Sequence, residues 1–352
     1  MAPFTLDRLA HPIVQAPMGG GPSTPALAAA VSGAGGLGFL AAGYRPAAAM
    51  RADIEKLRSL LPDEAPFGIN VFAPPGHGAG AAEVGAYAET LSREAERSDT
   101  ALGEPRWDDD SYAEKLELLC AERVPVVSLT FGCPSGEDVE RLHRARTAAW
   151  VTATTPDEAR AAGAAGADAV IVQGVEAGGH RGGFDDSAPG ELGLLALLQL
   201  VRFRVGDALP LVATGGLATG RAVAGVLAAG ATAAQLGTAF MLCPEAATAP
   251  AHRDAIAHSG AQTALTRAFT GRTARGILNR FQREHSADAP SAYPEVHHLT
   301  APLRAAARQR GDADGFHLWA GQAHDLAEPV PAAELVARLA EDARTALAGC
   351  AG

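Results

Sequence analysis

Short apolar runs rich in β-branched residues alternate with Ala- and Leu-rich helical segments along most of this chain, and that alternation restricts the fold more than any other feature. Strands joined through helices are parallel, and a parallel sheet is covered on both faces, so each strand reads as a nearly continuous hydrophobic run. Eight strands are expected, over residues 13–15, 37–40, 67–72, 126–129, 150–153, 169–173, 211–213 and 233–236. Helices are expected over 25–32, 47–61, 112–122, 137–146, 156–162, 190–205 and 219–229. Thr155-Pro156-Asp157-Glu158 opens one of these with a capping hydroxyl, a proline at the first helical position and acids in the first turn. Eight strands with intervening helices suit a closed (β/α)8 TIM barrel better than an open doubly wound sheet.

The barrel is expected to fill residues 1–244. Beyond Pro244 the alternation stops, and 245–326 reads as a smaller, mostly helical appendage contributing to the pocket. Residues 327–352 read as a C-terminal segment whose amphipathic helix, 331–347, packs back on the barrel. The connection 73–110 is long for a strand-to-helix loop and holds Pro74-Pro75-Gly76-His77-Gly78 and an expected helix over 82–96. Insertions of that length on a barrel tend to be lids or functional loops.

Charge and cysteine content exclude several classes. With 29 Lys and Arg against 40 Asp and Glu the net charge is −11, and no basic run could track a phosphate backbone, so nucleic acid is not expected as a partner. Cys120, Cys133, Cys243 and Cys350 lack the short paired spacings of zinc or dithiol sites, which suits a reduced, cytoplasmic protein. The N-terminus lacks a secretory signal's apolar core. Residues 10–44 and 222–244 carry no Asp, Glu, Lys or Arg, yet Gly and Pro interrupt them every few residues, so they read as buried strand, turn and helix rather than membrane spans. A homodimer is left open.

Reacting groups on such a barrel sit at the C-terminal ends of strands. The expected sixth strand runs into Gln173-Gly174-Val175-Glu176-Ala177-Gly178-Gly179-His180-Arg181-Gly182-Gly183. Glycines there let the backbone approach a planar ligand and offer it N–H groups, while His180 delivers an imidazole to the barrel mouth as a candidate acid–base group. A histidine that only hydrogen-bonds within a turn is the plainer alternative. Thr214-Gly215-Gly216-Leu217-Ala218-Thr219-Gly220 and Gly237-Thr238-Ala239-Phe240, after the last two strands, are expected to form the usual barrel phosphate site. Gln15-Ala16-Pro17-Met18 and Asn70 lie at two further strand ends, although Asn70 could equally cap its strand. Ser128 and Thr130 are ambiguous. Tyr112, Lys115 and Tyr293 are candidate pocket residues, with the alternative that Tyr112 and Lys115 face outward on one helix.

Together these segments resemble the nitronate monooxygenase (2-nitropropane dioxygenase) family, bacterial class I, over nearly the whole chain, with Tyr293-Pro294-Glu295-Val296 in the appendage adding to the match. The resemblance implies non-covalent FMN held by Asn70, Gln173, Gly178, Gly216 and the Gln235-Leu236-Gly237-Thr238 turn, with His180 as catalytic base. It implies O2-dependent oxidation of alkyl nitronates of the propionate 3-nitronate class to a carbonyl compound plus nitrite, a route of nitroalkane detoxification. At His297 and Ala301 the chain departs from the aromatic and basic residues of the class I pattern, which puts recognition of a substrate carboxylate in doubt. An FMN-dependent NAD(P)H reductase of the same superfamily, acting on enoyl-acyl carrier protein or quinone, shares the Gly-Gly-His loop and is the main rival. A non-catalytic flavin-binding barrel is a third reading. No metal is expected, because His297 and His298 are adjacent rather than at ligand spacing.

Overall fold

A computed structural model of the chain describes residues 3–62, 65–74, 80–257 and 260–350; residues 75–78 of the long insertion lie outside them. Eight parallel strands form the central sheet: Ile13–Gln15, Gly38–Ala41, Phe67–Phe72, Val126–Thr130, Ala148–Ala153, Ala169–Gln173, Leu211–Thr214 and Ala233–Leu236. From the second strand onward each pairs with the next in sequence, and the last pairs with the first. The ring is completed by a bridge between Val14 and Leu37, so the fold is the expected (β/α)8 barrel.

The strands sort their side chains by the period of two. Val14, Val126, Trp150, Ala169, Ile171, Val212 and Ala233 fill the barrel interior with Phe39. Their neighbours Ile13, Val151, Val170, Val172 and Ala234 face the surrounding helices instead. Carried upward, the same alternation points Asn70, Gln173, Thr214 and Gln235 inward at the barrel mouth, where all four line one cavity.

Capping fixes where several helices begin. Thr155 forms a complete capping box with Glu158, and Thr24, Ser135 and Thr219 each accept an amide hydrogen bond from the first turn of their helices. The two uncharged stretches resolve into strand, turn and helix, and among the described residues no helix is long and apolar enough to cross a membrane. The C-terminal helix Ala332–Cys350 buries Leu335, Val336, Leu339 and Ala343 in the cluster that holds Val223 and Val226 of helix Gly220–Ala228. Each large apolar side chain so buried contributes about 1.5–3 kcal/mol. Gly220 permits the close approach, since a Cβ there would lie 2.3 Å from the Asp342 Cβ.

The insertion forms two helices, Ala81–Thr90 and Ser92–Ser98, in place of the single helix expected. The segment after the barrel also differs from its mostly helical expectation. Besides helices Pro250–Ala257, Arg280–His285 and Glu295–Arg310 it contains the antiparallel strands Thr263–Thr266 and Ala274–Ile277, and the second pairs with Gly179–His180. These four-residue strands carry no long apolar run, and pairing with distant chain decides their conformation.

Candidate active site

The glycine-rich loop after the sixth strand is held from three sides. Arg181, 2% exposed, donates through Nη1 to the carbonyls of Gln173 and Gly174 and through Nη2 to that of Gly190. Gln173 returns the contact, its Oε1 accepting from the Gly182 amide and its Nε2 donating to the His180 carbonyl. Arg272, stacked 4.2 Å over the Phe131 ring, donates to the carbonyls of Arg181 and Gly183. Replacing Arg181 by Met would remove the hydrogen bonds by which one guanidinium ties Gln173, Gly174 and Gly190 together. We expect a loss of about 3–5 kcal/mol of stability, read as a lowered chemical-denaturation midpoint; an unchanged midpoint would refute this role.

The backbone of His180 lies in register with Ala274, and Nε2 sits 2.9 Å from Thr270 Oγ1. Its ring meets Trp319 edge-on at 5.5 Å and Phe131 at 5.7 Å, with Tyr293 at 6.1 Å. Desolvation, followed by the charges of Arg272 and Arg304, pushes its pKa down to about 3, so the imidazole is neutral across the physiological range. Three more histidines line the same cavity. Burial lowers His252 to about 4, burial and Arg304 lower His297 to about 2, and His317 falls well below its ordinary value.

The cavity has a volume of about 440 Å³, within the range of small-molecule sites. Of the residues expected at the site, Ala16, Pro17, Met18, Asn70, Gln173, Gly178, Gly179, His180, Gly215, Gly216, Gln235, Gly237 and Thr238 all line it. Gln15 and Leu236 do not. They share the outward parity of Ile13 and Ala234, and Gln15 instead accepts from the Phe39 amide and donates to Ser23. Ser128 faces inward but lies beneath Asn70, whose Nδ2 donates to Ser128 O, Ser128 Oγ and Thr130 Oγ1. Tyr293 lies behind the wall, packed against Phe131 and Tyr44.

Tyr112 and Lys115 are not brought to the cavity. Tyr112 donates to Asp138, and Lys115 is 1% exposed, paired with Asp110 at 2.6 Å and bonded to the Ala42 carbonyl. Lys115 acts at one remove, because Asp110 Oδ1 accepts the amide of Tyr44, a cavity residue held at φ 63° and stacked on His297 at 4.1 Å. Sequence reasoning missed Tyr44, Phe131, Trp319 and the row His297, Ala301, Arg304 and Arg308 as a unit. The last carried a signal, since positions four, seven and eleven apart share one helix face.

Two features suit a bound flavin. Gln235 Oε1 is buried with no hydrogen-bond partner among the described residues, whereas such groups are nearly always satisfied. Gly215 and Gly216 take φ of 121° and 67°, and among the described residues no backbone carbonyl accepts the amides of Gly215, Gly216 or Gly237. Unpaired amides after the last two barrel strands are where an anionic phosphate is held.

Comparison with known proteins identifies the family. The family model described as nitronate monooxygenase matches residues 4–342. The chain is 41% identical over 345 residues to a nitronate monooxygenase of Pseudomonas aeruginosa, covering 95% of this chain and 96% of that one. A solved nitroalkane oxidase from Streptomyces ansochromogenes is 52% identical, with a TM-score of 0.94 over 98% of this chain and 99% of the other. FabK from Thermotoga maritima is more distant, at 26% identity and a TM-score of 0.77, covering 100% of this chain and 99% of that one. The chain belongs to the nitronate monooxygenase family and is an oxidoreductase on a (β/α)8 barrel.

Proposed function

We propose that this protein is an FMN-dependent enzyme that oxidises alkyl nitronates with O2 to a carbonyl compound and nitrite, with His180 as the acid–base group. The observation that carries the reading is the His180 imidazole, anchored through Thr270 and flanked by Phe131 and Trp319, in one cavity with Gly215, Gly216 and Gly237. The amides of Gly215, Gly216 and Gly237 would hold the FMN phosphate, and Gln235, Gln173 and Asn70 would face the ring system. Bound there, FMN supplies the electron acceptor for the substrate.

The protein's own part is proton handling and positioning. The Thr270 hydroxyl donates its one proton to the Arg272 carbonyl, which assigns Nε2 of His180 as the N–H partner of Oγ1 and leaves Nδ1 as the basic nitrogen. For a neutral nitroalkane Nδ1 takes the α-proton; for a nitronate that proton is already gone. Thr270→Val removes the anchor, and kcat/KM for nitroalkanes should fall about tenfold with little change in nitronate turnover; an equal fall on both would show that Thr270 serves general packing.

The decisive experiment is anaerobic mixing of FMN-loaded protein with propionate 3-nitronate, and separately with NADH and NADPH, while following flavin absorbance. Bleaching by the nitronate is expected. A protein that takes up no FMN, or is bleached only by a pyridine nucleotide, would overturn the proposal.

A further inference from the structure

Arg304 has more hydrogen-bonding capacity than its surroundings use. It is 8% exposed on helix Glu295–Arg310 and lines the cavity. Its Nε donates to Thr300 Oγ1 at 2.9 Å, and its Nη2 donates to the His297 carbonyl at 2.7 Å and lies 3.3 Å from His297 Nδ1. Among the described residues no acceptor takes the N–H groups of Nη1, and the charged and phenolic groups acting on Arg304 are Tyr44, Arg308 and Tyr293, none of them a carboxylate. Burial lowers its pKa only to about 10, so it is charged at neutral pH. A buried cation without a carboxylate is costly unless a ligand supplies the opposite charge.

Its neighbours extend the argument. Arg308, one turn further on at the exposed rim, donates to the Gly20 carbonyl and lies 3.3 Å from His317 Nε2. His297 and His317, both held neutral, bring no negative charge. Ala301, three residues before Arg304, lines the cavity with a methyl group and leaves room beside the guanidinium. Among the described residues neither Arg304 nor Arg308 has a carboxylate partner, and both line a single cavity. A guanidinium fork matches a carboxylate or a phosphate.

Of those two anions, a flavin phosphate has its own place at the turns of Gly215, Gly216 and Gly237, whereas Arg304 faces the same cavity as His180 from helix Glu295–Arg310. We propose that Arg304, with Arg308 at the rim, forms an anion subsite that binds a carboxylate on the substrate remote from its reacting carbon. The subsite takes over the task for which His297 and Ala301 are unsuited. The proposal rests on the nitronate reading above.

The test compares ligands that differ only in the carboxylate, in wild type, Arg304→Gln and Arg304→Lys. KM is measured for propionate 3-nitronate and for the nitronate of 1-nitropropane, binding of 3-nitropropionate and 1-nitropropane by calorimetry, and FMN content from visible absorbance. Arg304→Gln should raise KM and Kd for the carboxylated ligands about 10–100-fold and leave the ligands without a carboxylate within about twofold, with Arg304→Lys in between and FMN content unchanged. Equal losses on both ligand sets, no loss, or loss of FMN would overturn the subsite. If wild type binds 3-nitropropionate through Arg304 yet oxidises no nitronate, the subsite stands and the reaction reading fails.

Discussion

Replacing His180 by Asn should lower turnover of neutral nitroalkanes by about 10²–10⁴-fold while leaving turnover of preformed nitronates within about tenfold of wild type. Only the neutral substrate requires removal of an α-proton, and Asn cannot remove it. The environment of the ring has a second consequence. An imidazole pushed down to about 3 by burial, Arg272 and Arg304 is unprotonated at every pH at which the enzyme is assayed. The pH profile for nitroalkanes should then show no limb near 6.5, the value of an unperturbed histidine. Oxygen-uptake kinetics with a nitroalkane and its nitronate between pH 5 and 8 measure both effects. Unchanged nitroalkane turnover in His180→Asn would remove His180 from the chemistry, and equal loss on both substrates would make it an anion-holding group instead of a base.

The cavity histidines should also make the protein sensitive to acid. His180, His252, His297 and His317 all have folded pKa values below the unfolded value of 6.5. Above 6.5 these four are neutral in both states and contribute no slope. As pH falls through 6.5 the unfolded chain takes up protons that the folded one refuses, so stability is lost with falling pH until the lower folded values are reached. Each histidine adds about 1.4 kcal/mol per pH unit in that window, and four together on the order of 5 kcal/mol per unit. Calorimetric Tm measured from pH 7.5 to 5 should drop steeply below 6.5. His297→Gln should remove about a quarter of the slope. Uptake of fewer than one proton on unfolding near pH 5.5 would contradict the buried-neutral assignment.

These expectations draw unequally on sequence and structure. The barrel strands were legible because their period-two burial and their length are local properties of the chain, and observed strand ends fall within two residues of those read from sequence. Gly215, Gly216, Gly237 and His180 were legible for a related reason, since the end of a strand delivers the next few residues of chain to the barrel mouth. Strand parity also contained the exclusion of Gln15 and Leu236, although their place in the motifs argued for inclusion. Lys115 shows the limit from the other direction: its apolar helix suggested either a pocket or a solvent face, and Asp110, five residues before it, drew it into neither.

From the sequence alone came the barrel, its glycine turns and the position of His180. The surroundings of that imidazole were decided only in three dimensions. Its strand partner Ala274, its anchor Thr270 and its neighbours Trp319 and Arg304 come from chain at least 90 residues away. The physical reason is that periodicity records which face of an element is buried, and says nothing of which distant element will cover it. The charge state of His180 results from that covering, through desolvation and two guanidinium groups, and so belongs to the tertiary structure.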